Sequence, residues 1–323
     1  LMSIFILSIL LCGLNISAQS QSELNTQIQQ ATDPVVKLEL LERFKNQYVT
    51  DTNKKPVYLN LTFTAYSAKK YDKTIEYGEL LLKEIADLED KLKIQVYLKL
   101  ANAYYVTKIN NDKIVEYGNL CIEVGKKLKG DKATSKYTKQ YIVPMMRLIA
   151  KRYAMDNDIE QKIKAVPIIL EAYSLEKARK NEDLILRISI SLYNNKKINE
   201  AIQLVEAILD PEKPKRKYID KLAHYYYRLG NKAKAIEFYK KSFEIRMSAK
   251  TAKKLAIMYK GNTDEQIRWF SYAFVLSGMK EGSKNHKFLR HLVYNVKMKG
   301  NAEEEQNQVY DSIISAARAK TGK

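Results

Sequence analysis

A chain of 323 residues is long enough for two domains or one elongated array, and its 46% hydrophobic content can supply a substantial core. Eleven glycines and six prolines are too few for a chain of hairpin turns or a collagen-like repeat, so composition favours helices. The formal charge of +19 is uneven: 15 Lys/Arg fall between Lys213 and Lys260 against three acids, Asp220, Glu237 and Glu244, a patch that attracts polyanions or acidic proteins, although lysine-rich helices also serve plain solubility.

First in chain order is a targeting segment. Ile4 to Leu14 are apolar almost throughout and lead into Asn15-Ile16-Ser17-Ala18-Gln19, which predicts a signal peptide over 1–18, cut after Ala18. The apolar run is about half of the roughly 20 residues a membrane-spanning helix needs. Cys12 raises a lipoprotein signal, but Leu10-Leu11 before it lacks the small residue such a motif carries. No other long apolar run occurs, so the mature chain is expected not to cross a membrane and to be periplasmic, outer-membrane-associated or secreted.

Past Ser20, apolar residues recur at three- and four-residue spacing, as in Ile75, Tyr77 and Leu80-Leu81, or Ile236, Tyr239 and Phe243. That is helical periodicity. The stretches 20–50 and 131–180 have it without a clear register. Three breaks share one dipeptide, Gly230-Asn231, Gly261-Asn262 and Gly300-Asn301: glycine ends one helix in the left-handed conformation and asparagine caps the next. Asn301 with Glu304, and Thr263 with Gln266, have capping-box spacing. Asn110-Asn111 and Asn194-Asn195 are expected to turn the chain in the same way.

A fixed period joins these helices. Ala201 and Ala235 lie 34 residues apart, as do Ser189 and Ala223, and 34 is the tetratricopeptide period. Leu222-Ala223, Tyr226, Gly230, Ala235, Tyr239 and Ser242 resemble the small and large packing positions of that family. Ile188-Ser189, Leu192, Ala201, Val205 and Ile208 resemble them in the unit before, and Leu255-Ala256, Tyr259, Phe270 and Ala273 in the unit after. Small residues at a helix crossing let the helices approach, and large ones fill the space beside them. Earlier, 71–78 and 111–118 are copies of each other at a spacing of 40, with Leu100-Ala101 and Tyr104 on the helix before the second copy.

The resemblance to exported bacterial proteins of the tetratricopeptide type implies an all-α, α-α superhelix of antiparallel helix pairs. Residues 19–323 are expected to form one continuous domain, with the clearest repeats over 183–279 and looser ones over 59–127. Phe288, Leu292, Val293 and Val296 would face Val309, Ile313 and Ile314 as the C-terminal cap.

Residues suited to chemistry are sparse. No phosphate-binding loop, Cys-x-x-Cys, His-Glu-x-x-His or Gly-x-Ser-x-Gly occurs. His286 and His291 are five apart, on different helical faces, and with His224 they form no evident metal site. Glu84 with Asp87, and Glu303-Glu304-Glu305, fit a polar face and a first helical turn. Cys121 fits a small buried hydrophobe. No catalysis, cofactor or metal is therefore expected.

What remains is surface. In tetratricopeptide superhelices the first helix of each pair lines a concave groove, which here implies Tyr193 and Asn194 in one unit. The next unit contributes Lys217, Asp220, His224, Tyr227 and Arg228, and the third Lys250, Lys253, Ile257 and Lys260. The set is basic with interleaved tyrosine, suited to an acidic peptide or protein. Leu186 and Ile190 stand where cytosolic chaperone-binding relatives place clamp residues, so that clamp is absent. Tyr225, Tyr227 and Trp269 raise nucleic-acid stacking, which an exported chain with its other aromatics at core positions disfavours. A non-catalytic protein-binding scaffold is the leading expectation, and a binder of glycans or an anionic envelope component the alternative.

Overall fold

The computed structural model describes residues 20–129, 136–279 and 281–322, and the predicted signal peptide lies outside them. All regular structure among the described residues is helical. Contacts divide the chain into two compact units. The first comprises the described residues of Leu1–Asn157 with Pro167–Asn181; the second comprises Asp158–Val166 with Glu182–Lys323.

In the first unit, α1 (Gln21–Gln30), α2 (Pro34–Tyr48), α3 (Lys54–Ser67), α4 (Tyr71–Glu84), α5 (Asp90–Thr107) and α6 (Asn111–Lys129) follow one another. The π-helical turn Thr138–Ile142 then leads into α7 (Val143–Ala154). Short turns force neighbours to run antiparallel, and α3 packs on α4 and α5 on α6. Ser20 and Glu23 cap α1 reciprocally, a capping box that sequence reasoning missed. Asp33 accepts from Val35 and Val36 at the start of α2, where Pro34 needs no hydrogen-bond partner.

The copied segments 71–78 and 111–118 each end on a glycine at a helix crossing. A Cβ on Gly78 would stand 2.8 Å from Leu100 Cδ2, and one on Gly118 2.9 Å from Ile149 Cδ1. Tyrosine hydroxyls near the core are satisfied by glutamates on other helices: Tyr77 donates to Glu42 at 2.6 Å, and Tyr104 and Tyr117 donate to Glu79 at 2.6 and 3.1 Å. Cys121 is buried, and burial pushes its thiol up to about 12, which favours the protonated form. Glu84 and Asp87 pair with Lys54 and Lys55.

Helix α8 (Ile159–Leu175) is divided, its residues up to Val166 belonging to the second unit and those from Pro167 to the first. The second unit holds most of α9 (Arg179–Asn194), then α10 (Ile198–Ala207), α11 (Arg216–Arg228), α12 (Lys232–Ile245), α13 (Ala249–Met258) and α14 (Thr263–Leu276). It closes with α15 (Lys284–Arg290), a π-helical segment His291–Lys297 and α16 (Glu303–Thr321). Here the 34-residue register is realised in packing. Ser189, Ala201, Ala223, Ala235, Ser242, Ala256 and Ala273 are all fully buried, and Leu192, Leu222, Tyr226, Tyr239, Leu255 and Phe270 are buried beside them. Each large apolar side chain so buried contributes roughly 1.5–3 kcal/mol.

The turns partly depart from expectation. Gly230, Gly261 and Gly300 take φ of +86°, +97° and +89°, and Asn231 and Asn262 cap the following helices. At the Asn-Asn joints, however, the left-handed residue is a lysine, Lys108 (φ 57°) before Asn110-Asn111 and Lys196 (φ 64°) after Asn194-Asn195, and none of the four asparagines takes a positive φ. Neither predicted capping box forms. Asn262 is itself the cap of α14, so Thr263 is already helical and Gln266 donates to the Ala256 carbonyl. Helix α16 starts at Glu303, and Asn301 donates to Glu305.

The C-terminal cap is also corrected. Leu292 and Val293 are buried, but Phe288 is 52% exposed and Val296 is exposed as well. Phe288 precedes the π-helical segment and stacks on Phe270 of α14 at 5.4 Å, while the wider turn of that segment takes Val296 off the face an α-helical reading assigns.

Candidate functional site

All the predicted groove residues belong to the second unit and sit on, or just beyond, α9, α11 and α13, the first helices of three successive pairs. On α11 the division of faces is sharp. Tyr218, Ile219, Leu222, Ala223, Tyr225 and Tyr226 are buried, whereas Lys217, Tyr227 and Arg228 are exposed and Asp220 and His224 lie between. Tyr227 is 48% exposed. Asn194, Lys250 and Lys260 are exposed, and Tyr193 and Lys253 are half-buried.

Tyr193 and His224 are brought together. The Tyr193 hydroxyl lies 2.8 Å from His224 Nε2, and its ring stacks on Tyr225 at 4.7 Å with an interplanar angle of 19°. Burial holds the imidazole below its ordinary pKa, and Lys254, Arg228 and Lys221 add to the effect. Lys221 is itself lowered by burial. Lys254 donates to the Tyr239 hydroxyl at 3.1 Å, and burial followed by Asp220, Tyr227 and Tyr193 pushes that phenol up to about 12. Lys221 and Lys254 are functional candidates that sequence reasoning passed over. Their signal was present, since they stand at equivalent places just before Leu222 and Leu255.

Asp220 is engaged within the protein. It accepts from Ser242 on α12 and lies 3.6 Å from Arg216, whose guanidinium also donates to Ser242, Ser248 and Thr251. Lys217 stands 4.0 Å from Asp183 and over the Tyr218 ring at 4.8 Å. By contrast, among the described residues Arg228, Lys250, Lys253 and Lys260 have no ion-pair partner. Ile190 and Ile257 are exposed on the same helices.

Two of the three aromatics considered for base stacking are unavailable for it. Tyr225 and Trp269 are buried, the former sharing a hydrogen bond with Ser189 and the latter donating its indole N–H to Glu265. The histidines are dispersed. His286 stacks on Phe274 and accepts from the Gly282 amide, while His291 is exposed. Among the described residues no group of three His, Cys, Asp or Glu stands ready for a metal ion, and no helix is long and apolar enough to cross a membrane.

These elements define an all-α protein of stacked helix pairs with tetratricopeptide-like packing. No protein-family model matches the sequence, and no curated protein matches it. Solved structures do. YrrB, described as a TPR protein with an unusual peptide-binding site, is 14% identical and matches over 65% of this chain and 93% of its own, at a TM-score of 0.39. The C-terminal part of a TPR repeat-containing protein from Cytophaga hutchinsonii is 10% identical over 80% and 95%, at 0.38. MamA is 17% identical over 60% and 92%, at 0.35.

Proposed function

We propose that this chain is a non-catalytic scaffold that binds an acidic protein or peptide along the first-helix face of its second unit, acting in the periplasm, at the outer membrane or outside the cell. One observation carries the reading: among the described residues Arg228, Lys250, Lys253 and Lys260 have no counter-ion, and they stand on or just beyond helices that also present exposed Tyr227 and Ile257. Unpaired surface cations steer an acidic partner, and a half-exposed tyrosine offers contact area at small entropic cost. Asp220 does little against this, because Arg216 and Ser242 already hold its carboxylate.

The test is capture of partners from envelope extract by the wild-type chain and by Lys217→Glu, Arg228→Glu and Lys253→Glu together. Loss of the captured proteins is expected, and an unchanged set would sink the assignment. The exposed ring of Tyr227 next to the exposed Arg228 favours a second reading, a glycan or anionic envelope component. Retention of purified envelope polysaccharide, with no protein captured, would replace the first reading by the second.

A further inference from the structure

A different site belongs to the first unit, and it does not depend on the groove reading. The end of α5, the start of α6 and the end of α7 line a half-open cavity of about 420 Å³, within the roughly 300–1,000 Å³ typical of small-molecule sites. Its walls include Tyr105, Val106, Ile114 and Met155, and its cations are Lys108 and Arg152. Ile114 is buried, whereas Val106 and Met155 are 50% and 65% exposed. The left-handed Lys108 lets the chain leave α5 and enter α6 within a few residues, which brings Ile114 beside Val106.

Arg152 sets the chemistry. Its Nη1 donates to Asp156 at 2.7 Å, with both side chains less than a quarter exposed, while its buried Nε–H has no acceptor. One edge of the guanidinium is thus fixed, and a buried donor on it is left unsatisfied. Such a donor is costly unless something supplies an oxygen. A carboxylate suits the planar donor array of arginine, and apolar walls suit an aliphatic group attached to it. The two cations disfavour an amine, and with Asp156 already on Arg152 the charge left over matches a single negative charge and not a polyanion.

We propose that this cavity binds a small aliphatic carboxylate, with its oxygens on the Arg152 guanidinium and its alkyl group against Val106, Ile114 and Met155. The chemistry is shared by a free medium-chain acid and by the C-terminal residue of a peptide, and the probes separate them. Octanoate is compared with 1-octanol, and N-acetyl-leucine with N-acetyl-leucinamide, by calorimetry on the full chain; the labelled Met155 methyl resonance reports where they bind.

At least one acid is expected to bind saturably, to shift Met155, and to exceed its neutral partner by about tenfold or more. Preference for octanoate alone assigns the free acid, and preference for N-acetyl-leucine alone assigns the peptide terminus. Arg152→Gln is expected to remove the preference. Met155→Asp, which sets a carboxylate against the apolar wall at an exposed position and keeps Arg152 itself, is expected to remove binding of the acid even if Arg152→Gln loosens the fold. Absence of saturable binding by both acids, equal binding of acid and neutral probe, or acid binding that survives Met155→Asp overturns the proposal.

Discussion

His224 shows how a single side chain records its surroundings. It is half-buried, its Nε2 meets the Tyr193 hydroxyl, and the charged groups acting on it are Lys254, Arg228 and Lys221, all cations. Its folded pKa therefore lies below the unfolded value of about 6.5. On acidification the unfolded chain takes up this proton before the folded one, so stability present at neutral pH is lost as pH falls through the unfolded value. Urea midpoints measured between about pH 7.5 and about pH 5.5 should fall, and His224→Gln, which keeps a partner for Tyr193 but cannot titrate, should flatten the fall. Equal slopes in the two proteins would mean that the imidazole is not held neutral. The sequence put His224 on a solvent-facing helix beside Arg228, but it did not indicate how near Lys254 comes, because that depends on the packing of α13 against its neighbours. Asp220 illustrates the same gap: its partner Ser242 is 22 residues away, and only the close approach of α11 and α12 joins them.

At the scale of elements, what the chain disclosed was the small residue at each crossing, since a 34-residue recurrence of Ala or Ser has one packing meaning. Gly78 and Gly118 carry the same meaning in the first unit, although there they were legible only as part of a copied segment. A Cβ at Gly118 meets Ile149 Cδ1 and Cγ1, both at 2.9 Å. Gly118→Val should cost about 1–3 kcal/mol in chemical denaturation, the usual cost of overfilling a packed core. Ile149→Ala in the same chain should recover part of that loss, so that the two effects fail to add. Strict additivity would show that the helices do not need this approach. The π-helical segments and the lysine turns escaped sequence reasoning for the opposite reason: no residue type is required there. A lysine with φ near +60° is tolerated at a helix end, and only the folded chain shows which residue takes that place.

For the whole molecule, tyrosine hydroxyls are met alike in the two units and charge is not. Tyr77, Tyr104 and Tyr117 of the first unit spend their hydroxyls on Glu42 and Glu79, and Tyr218 and Tyr226 of the second on Glu182 and Glu206. In the second, 15 Lys/Arg between Lys213 and Lys260 face three acids, two of which, Asp220 and Glu237, already lie beside Arg216 and Lys241. This excess was visible in the sequence; its availability was not, because it rests on which cations the few acids neutralise. If free cations on α11 and α13 dominate recognition, binding of poly-L-glutamate should weaken steeply as salt rises from about 0.05 to about 0.5 M, over which screening shortens from beyond 10 Å to a few ångströms. Arg228→Glu, Lys250→Glu and Lys253→Glu combined should flatten that dependence and lower affinity mainly at low salt. The same reversals leave the buried face of α11 untouched, so the melting transition should barely move. A salt slope identical in the two proteins would place the attraction on lysines elsewhere in the chain, and the concentration of charge between Lys213 and Lys260 would then serve solubility alone.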